Sequence, residues 1–265
     1  RQQLMDAIIK YRPSIRAVPQ ARILLVGPVG AGKSSFFNSV NSMFRGKMTC
    51  QAIAGTADKS VTTQYRTYSI KAGKNGKPLP VVLCDTMGLE EMAGAGLDID
   101  DLVNIYRGHI EDRYQFSPSG PLMPESPGYK KLVTLNDRIH CLVYVVDTSN
   151  SSLLTQKMLD KFDAIRRKAN QMGIPQILLM TKVDKACSLV AEDLKTVYQS
   201  VYIQKKNYYE ELESDQDTDI LLAMALTQML NFADSFFENQ PVYEEGESSV
   251  EREGYQSDET IRPDF

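Results

Sequence analysis

The chain has 265 residues, 42% of them hydrophobic and 24% charged, the balance of an ordinary globular core of about 200 residues with extensions. No run approaches the roughly 18 to 20 consecutive apolar residues of a membrane span, and neither a signal-peptide pattern nor a prenylation box is read at the ends, so no membrane is expected. The net charge of −4 is uneven, because residues 241–265 hold eight acids against Arg252 and Arg262 and leave the first 240 residues slightly basic.

In chain order, a short helix around residues 2–11 is broken by Pro13 and Pro19. "ARILLVG" (21–27) reads as a buried strand and "KSSFFNSVNSMF" (33–44) as the helix that follows it. "YRTYSIKAGKNGKPLPVVLCD" (65–85) predicts two strands joined at "GKNGK". "LDIDDLVNIYRG" (97–108) predicts a helix, and a Pro/Ser/Gly-rich insertion occupies about 115–128. "HCLVYVVD" (140–147) is a strand, 155–173 a helix and "PQILLMTK" (175–182) a strand. "TVYQSVYIQ" (196–204) has strand character, and 219–237 closes the fold as an amphipathic helix whose Met/Leu stripe at 221–230 belongs to the core. Continuous apolar strands alternating with helices predict a mostly parallel sheet covered on both faces, with one antiparallel pairing at the hairpin. Ligands of such sheets sit at the carboxyl ends of the strands, so motifs following strands 1, 3 and 5 should converge.

Three motifs occupy those positions. "GPVGAGKS", Gly27 to Ser34, fits GxxxxGK[ST] between a strand and a helix. Its backbone N–H groups, including those of Gly27, Val29, Gly30, Ala31, Gly32 and Ser35, can cradle a phosphate chain. Lys33 can reach the outer phosphates, and the Ser34 hydroxyl can join a Mg²⁺ shell. "CDTMG" places Asp85 where a carboxylate can hold Mg²⁺ through water, and Gly88 where a bare N–H can meet a third phosphate. "TKVD", Thr181 to Asp184, ends the fifth strand. The Asp184 carboxylate can accept both N1–H and N2–H of guanine, which adenine cannot match, while Lys182 lies along the base. Between the first two motifs, Thr62 is the first choice for a hydroxyl on Mg²⁺ and the third phosphate, with Thr63 the second and an ordinary polar loop the alternative.

The remaining candidates have blander readings. Cys50, Cys84, Cys141 and Cys187 form no metal or disulfide spacing, and reduced thiols fit the cytoplasm. His109 and His140 read as structural. Lys161, Arg166, Arg167 and Lys168 read as a solvated helix face, with no aromatic array to indicate nucleic acid.

The order GPVGAGKS, DTMG, TKVD resembles the translation-factor-like GTPases. The strings "LLVGPVGAGKSSFFNSV", "LCDTMGL", "DRIHCLVYVVD" and "MALTQMLNFADSFF" are more specific and resemble the GTP-binding domain of the interferon-induced protein 44 and 44-like family, over about residues 22–238. The resemblance implies a P-loop GTPase-like three-layer α/β sandwich that binds GTP/GDP and Mg²⁺. It also implies cytoplasmic, interferon-induced proteins with antiviral or antiproliferative roles in innate immunity, often with an additional N-terminal domain that is not expected within these residues. The division expected is a helical lead-in at 1–20, the GTPase domain at 21–240 and a disordered acidic tail at 241–265.

Two departures bear on activity. The last base-binding loop lacks the usual Ser-Ala-Lys, and Asn207 in "KKNYYEE" marks its expected position. Leu89 stands where small GTPases place a water-orienting glutamine, and Val29 replaces a glycine, so intrinsic hydrolysis should be slow. GTPases with a hydrophobic residue there, dynamin and septin relatives included, recruit other groups, often through dimerisation, and an arginine so supplied is worth about 10³ to 10⁵ in rate. Arg45, Arg66 and Arg107 are the candidates. A partner-stimulated GTPase acting with a protein partner or as a homodimer, and a GTP-loaded adaptor without turnover, are both consistent with the sequence.

Overall fold

The computed structural model describes residues 1–52, 62–73, 76–91, 96–198 and 216–240. The expected positions of Asn207, of the acidic tail, of the hairpin tip at 74–75 and of the whole 55–61 segment lie outside them.

Five described strands form one sheet: β1 (Ala21–Val26), β2 (Arg66–Lys71), β3 (Pro78–Asp85), β4 (Cys141–Asp147) and β5 (Gln176–Thr181), in spatial order β2-β3-β1-β4-β5. Only the β2–β3 pairing is antiparallel. β1 is central and almost wholly buried, which explains its unbroken apolar run, whereas β2 at the edge alternates buried and exposed positions.

The chain leaves β1 toward β3 through α2 (Lys33–Arg45), then recrosses to β4 and β5 through α3 (Ile99–Arg107) and α4 (Gln156–Gln171). Right-handed crossovers in opposite directions put α2 on one face and α3 and α4 on the other. The last described helix, α7 (Gln216–Glu238), packs with α1 (Gln2–Lys10) and α2. By length and composition α7 is apolar enough to cross a membrane. In this fold its Leu222, Leu226, Met229, Leu230 and Ala233 are buried in the core, which bears out the stripe read from the sequence. Arg1 pairs with Asp219, and the Tyr11 hydroxyl donates to Asp234 at 2.7 Å, so the lead-in is fastened along α7.

Helix ends follow local chemistry. The Asp98 carboxylate accepts the Asp100 N–H at the start of α3, and Gly108 ends it in the left-handed region. Thr155 caps α4. The insertion after α3 is anchored: Leu122 donates its N–H to the buried Asp101 carboxylate, and Asn104 returns a bond to the Leu122 carbonyl, each at 2.8 Å.

One element differs from expectation. Residues Leu194–Tyr198 form a 3-10 helix rather than the start of a strand, after short helices α5 (Val183–Ala186) and α6 (Ser188–Glu192). Thr196 bonds its hydroxyl to the Leu189 and Asp193 carbonyls, and Leu194 and Val197 bury one face at a spacing of three. Local hydrogen bonding thus overrides the β-propensity of the Thr-Val run. The rest of that expected strand lies outside the described residues.

Candidate nucleotide site

The phosphate loop links β1 to α2 at the point where the sheet order reverses around β1. Gly30 and Gly32 have positive φ, 72° and 97°, and Gly32 starts α2 with a helix N-terminus facing the loop. A Cβ on Gly27 would lie 2.0 Å from the Val145 carbonyl oxygen, so β4 approaches too closely for any side chain there.

Lys33 is buried, and its Nζ donates to the Gly27 and Pro28 carbonyls at 2.9 and 3.0 Å. An ammonium has three N–H groups, so one donor remains for an anion above the loop. Burial pulls its pKa down to about 8, against the opposing charge of Asp85. The Ser34 hydroxyl donates to Asp85 Oδ2 at 2.6 Å and lies 3.3 Å from Thr62 Oγ1. The three residues read as Mg²⁺ ligands are therefore brought together. Asp85 is fully enclosed, and burial raises its carboxyl above the usual range even though Lys33 and Ser34 favour the charged form. Its Oδ1 is buried and makes no hydrogen bond among the described residues. A cation or its bound water would satisfy such an oxygen, and hydroxyl plus carboxylate oxygens fit Mg²⁺ by their chemistry.

Gly88 sits against the loop: a Cβ there would meet the Val29 Cα and N at 2.9 Å. Leu89 then runs beside the loop as a parallel bridge to Pro28, donating its N–H to Gly27 O at 3.0 Å and accepting from the Val29 N–H at 3.4 Å. Leu89 is 2% exposed, so it packs inward. Lys161 of α4 donates to the Glu90 carbonyl. That contact separates it from the exposed Arg166, Arg167 and Lys168, which form the expected solvated face.

The base motif approaches from the other side. Thr181 is buried and its hydroxyl donates to the Ala31 carbonyl at 2.6 Å. Lys182 donates to Gly30 O and to Asp147 Oδ2, both at 2.8 Å. Asp184 lies in the first turn of α5, two residues beyond Lys182. Thr63 turns away: its carbonyl accepts from Gln115 Nε2 and the Phe116 N–H, which leaves Thr62 as the threonine facing Ser34. Ser35, third in α2, completes the residues read for the loop.

Of the arginines, Arg66 is opposite Asp85 in the β2–β3 register and pairs with Asp112 at 3.4 Å. Arg45 closes α2, about 18 Å from Lys33 along the helix axis. Arg107 is exposed at the end of α3. Sequence reading missed Asp147, which carries no motif of its own; only its place at the end of β4, beside the fifth strand, pointed toward the site.

His140 is structural, as read. Its Nδ1 accepts the Arg22 N–H at 2.9 Å and its Nε2 faces the Leu135 carbonyl at 2.8 Å. His109 Nδ1 lies 2.8 Å from the Lys130 carbonyl, with its ring stacked on Tyr129. The four cysteines are free, with Cys84 and Cys141 buried as expected.

A phosphate loop, a carboxylate strand end and a TKxD loop at the reversal point of a mostly parallel sheet define a P-loop domain of the GTPase class. A family model described as Septin matches residues 19–254, and the chain belongs to that family, whose domain binds guanine nucleotide. It is similar to the Homo sapiens interferon-induced protein 44-like, 42% identical over 95% of this chain and 60% of that protein. Homo sapiens interferon-induced protein 44 is 40% identical over 91% of this chain and 58% of its own length, and the Mus musculus protein 37% over 90% and 61%. The chain thus spans about three-fifths of the length of these curated relatives.

Proposed function

We propose that this domain binds GTP and GDP with Mg²⁺ and turns GTP over slowly, or at a useful rate only when a protein partner or a second copy supplies a catalytic group. The supporting observation is the convergence on one loop of Lys33, the Ser34–Asp85–Thr62 oxygens and the Thr181–Lys182 pair. The buried Asp85 Oδ1 supports a cation beside it, and Asp184, two residues beyond Lys182, offers an acceptor for the guanine edge. In this reading Lys33 and Mg²⁺ neutralise the outer phosphates, Gly88 offers backbone to the third, and Thr62 closes over the cation. Asn207 would complete the base loop.

The inward packing of Leu89 favours a second reading, a GTP-loaded adaptor that recruits partners without meaningful turnover. The names of the relatives support an interferon-induced setting, and a cytoplasmic, antiviral role in innate immunity is the proposal that goes with it. Titration of fluorescent GTP, GDP and ATP with and without Mg²⁺ tests the core of the proposal, and equal affinity for ATP would refute the role of Asp184. Phosphate release measured beside a Lys33→Ala control separates the readings: turnover no faster than the control sinks the GTPase, and robust turnover of the isolated domain sinks the adaptor.

A further inference from the structure

Asp147 ends β4 and is paired in register with Thr181 of β5, one residue before Lys182. It is not part of any nucleotide-binding motif, yet its side chain is only 12% exposed and its two oxygens accept four hydrogen bonds. Oδ1 takes the Ser149 N–H at 2.9 Å and its hydroxyl at 2.6 Å. Oδ2 takes Asn150 Nδ2 at 3.0 Å and Lys182 Nζ at 2.8 Å. Burial alone would raise this carboxyl, but the Lys182 and Ser149 bonds hold it below the usual carboxylate range.

Lys182 has the backbone of a residue under constraint. Its φ of 56° is in the left-handed region, which non-glycine residues occupy only when their surroundings hold them there. What holds it is visible: the ammonium bridges the Gly30 carbonyl of the phosphate loop and the Asp147 carboxylate. Gly30 has φ of 72°, which glycine adopts freely, so the constraint in this bond lies on the Lys182 side.

From these contacts we infer that Asp147 is a positioning residue that acts through Lys182 to lock the base-reading loop onto the phosphate loop. Base and phosphates of a guanine nucleotide are thereby read at a fixed separation. The inference rests on the guanine-nucleotide reading of the site. Without the carboxylate, the Lys182 ammonium keeps only the Gly30 carbonyl, the strained turn relaxes, and Asp184 two residues on loses its placement. The phosphate loop, still held by Lys33 and by Thr181 on Ala31, keeps its own shape. A simpler role, stapling the turn at Ser149 and Asn150, would make Asp147 independent of Lys182.

A double-mutant cycle on the full chain separates the two, with Asp147→Asn, Lys182→Met and the double variant titrated with GDP and, separately, with pyrophosphate. Asparagine keeps the size of Asp147 and an acceptor for Ser149, and thermal melts verify folding. The expected result is a loss of GDP affinity of about tenfold or more for Asp147→Asn, as for other buried charge partners. Pyrophosphate affinity should stay at the wild-type value, and the double variant should bind GDP no worse than Lys182→Met alone. Additive losses, an equal loss for pyrophosphate, or unchanged GDP binding would each overturn the inference while leaving the nucleotide site standing. If the wild-type chain bound no guanine nucleotide, the proposed function would fall and this inference with it.

Discussion

The two ends of β1 bury polar groups in opposite ways. At its amino end, Arg22 and His140 are enclosed and mainly satisfy protein groups: the His140 ring bridges the Arg22 N–H and the Leu135 carbonyl, and Arg22 Nη2 donates to the Tyr65 hydroxyl at 3.2 Å. At its carboxyl end, Lys33 retains a donor and Asp85 retains an oxygen. Equal burial therefore has two meanings. Arg22 Nε also makes no hydrogen bond among the described residues, so the contrast rests on the His140 ring, both of whose nitrogens have protein partners, against the spare Lys33 donor and Asp85 oxygen, which the proposed function assigns to a ligand.

That contrast can be broken by mutation, and the largest effect is expected at the carboxyl end. Lys33→Ala should lower GTP and GDP affinity on the order of 100-fold in a nucleotide titration, since it removes a desolvated charge partner of the phosphates. Little change in affinity would mean that the loop is ornamental to binding.

At the amino end, His140→Leu should cost roughly 2 to 4 kcal/mol of stability in denaturant melts, because an N–H and a carbonyl lose their partners, and should leave nucleotide affinity unchanged. The wild-type protein should show the same site through pH. Burial pushes the His140 pKa down to about 4, below its ordinary 6.5, so the unfolded chain takes up the proton first on acidification. Its stabilising contribution is complete above about pH 6.5 and is lost as the pH falls toward 4, by about 3 kcal/mol from this group. A His140→Leu chain with the same acid sensitivity as wild type would assign that loss elsewhere.

Asp85→Asn sharpens the other half. It should remove the Mg²⁺ dependence of nucleotide binding yet hold or raise the melting temperature by a few degrees, because a buried carboxylate held for a cation destabilises the empty fold. A large drop in stability would place Asp85 with His140 as a structural group.

Leu89→Gln should give no gain in phosphate release. It should cost about 1 to 3 kcal/mol, since an amide would replace an aliphatic chain in a buried position. Faster turnover would show that the glutamine can leave the core and reach the water. Gly88→Ala is expected to weaken stability by a similar amount, about 1 to 3 kcal/mol in the same melts, through the close contact with Val29.

The match between reading and structure is uneven for a physical reason. The phosphate loop, the carboxylate strand end and the TKVD turn were legible because each needs fixed residue types at fixed short spacing, and the apolar runs of β1, β3 and β4 follow directly from burial on both faces. That Thr62 rather than Thr63 lies beside Ser34 depends on which way a loop turns, and the Gln115 and Phe116 groups that engage the Thr63 carbonyl come from some fifty residues away. Leu89 carried an absence in the sequence, the lack of a hydrogen-bonding side chain. The structure gives its backbone a presence, as an extra rung beside the phosphate loop.

By itself, then, the sequence determined the alternation of strands and helices, the three loops and the chemistry each can offer, since these depend on local pattern and residue type. The tertiary structure alone decided that residues 194–198 wind rather than extend, that Lys161 reaches Glu90, and that Asp147 stands under Lys182. Those outcomes depend on groups distant in the chain meeting at hydrogen-bond range, and no spacing along the sequence encodes such a meeting.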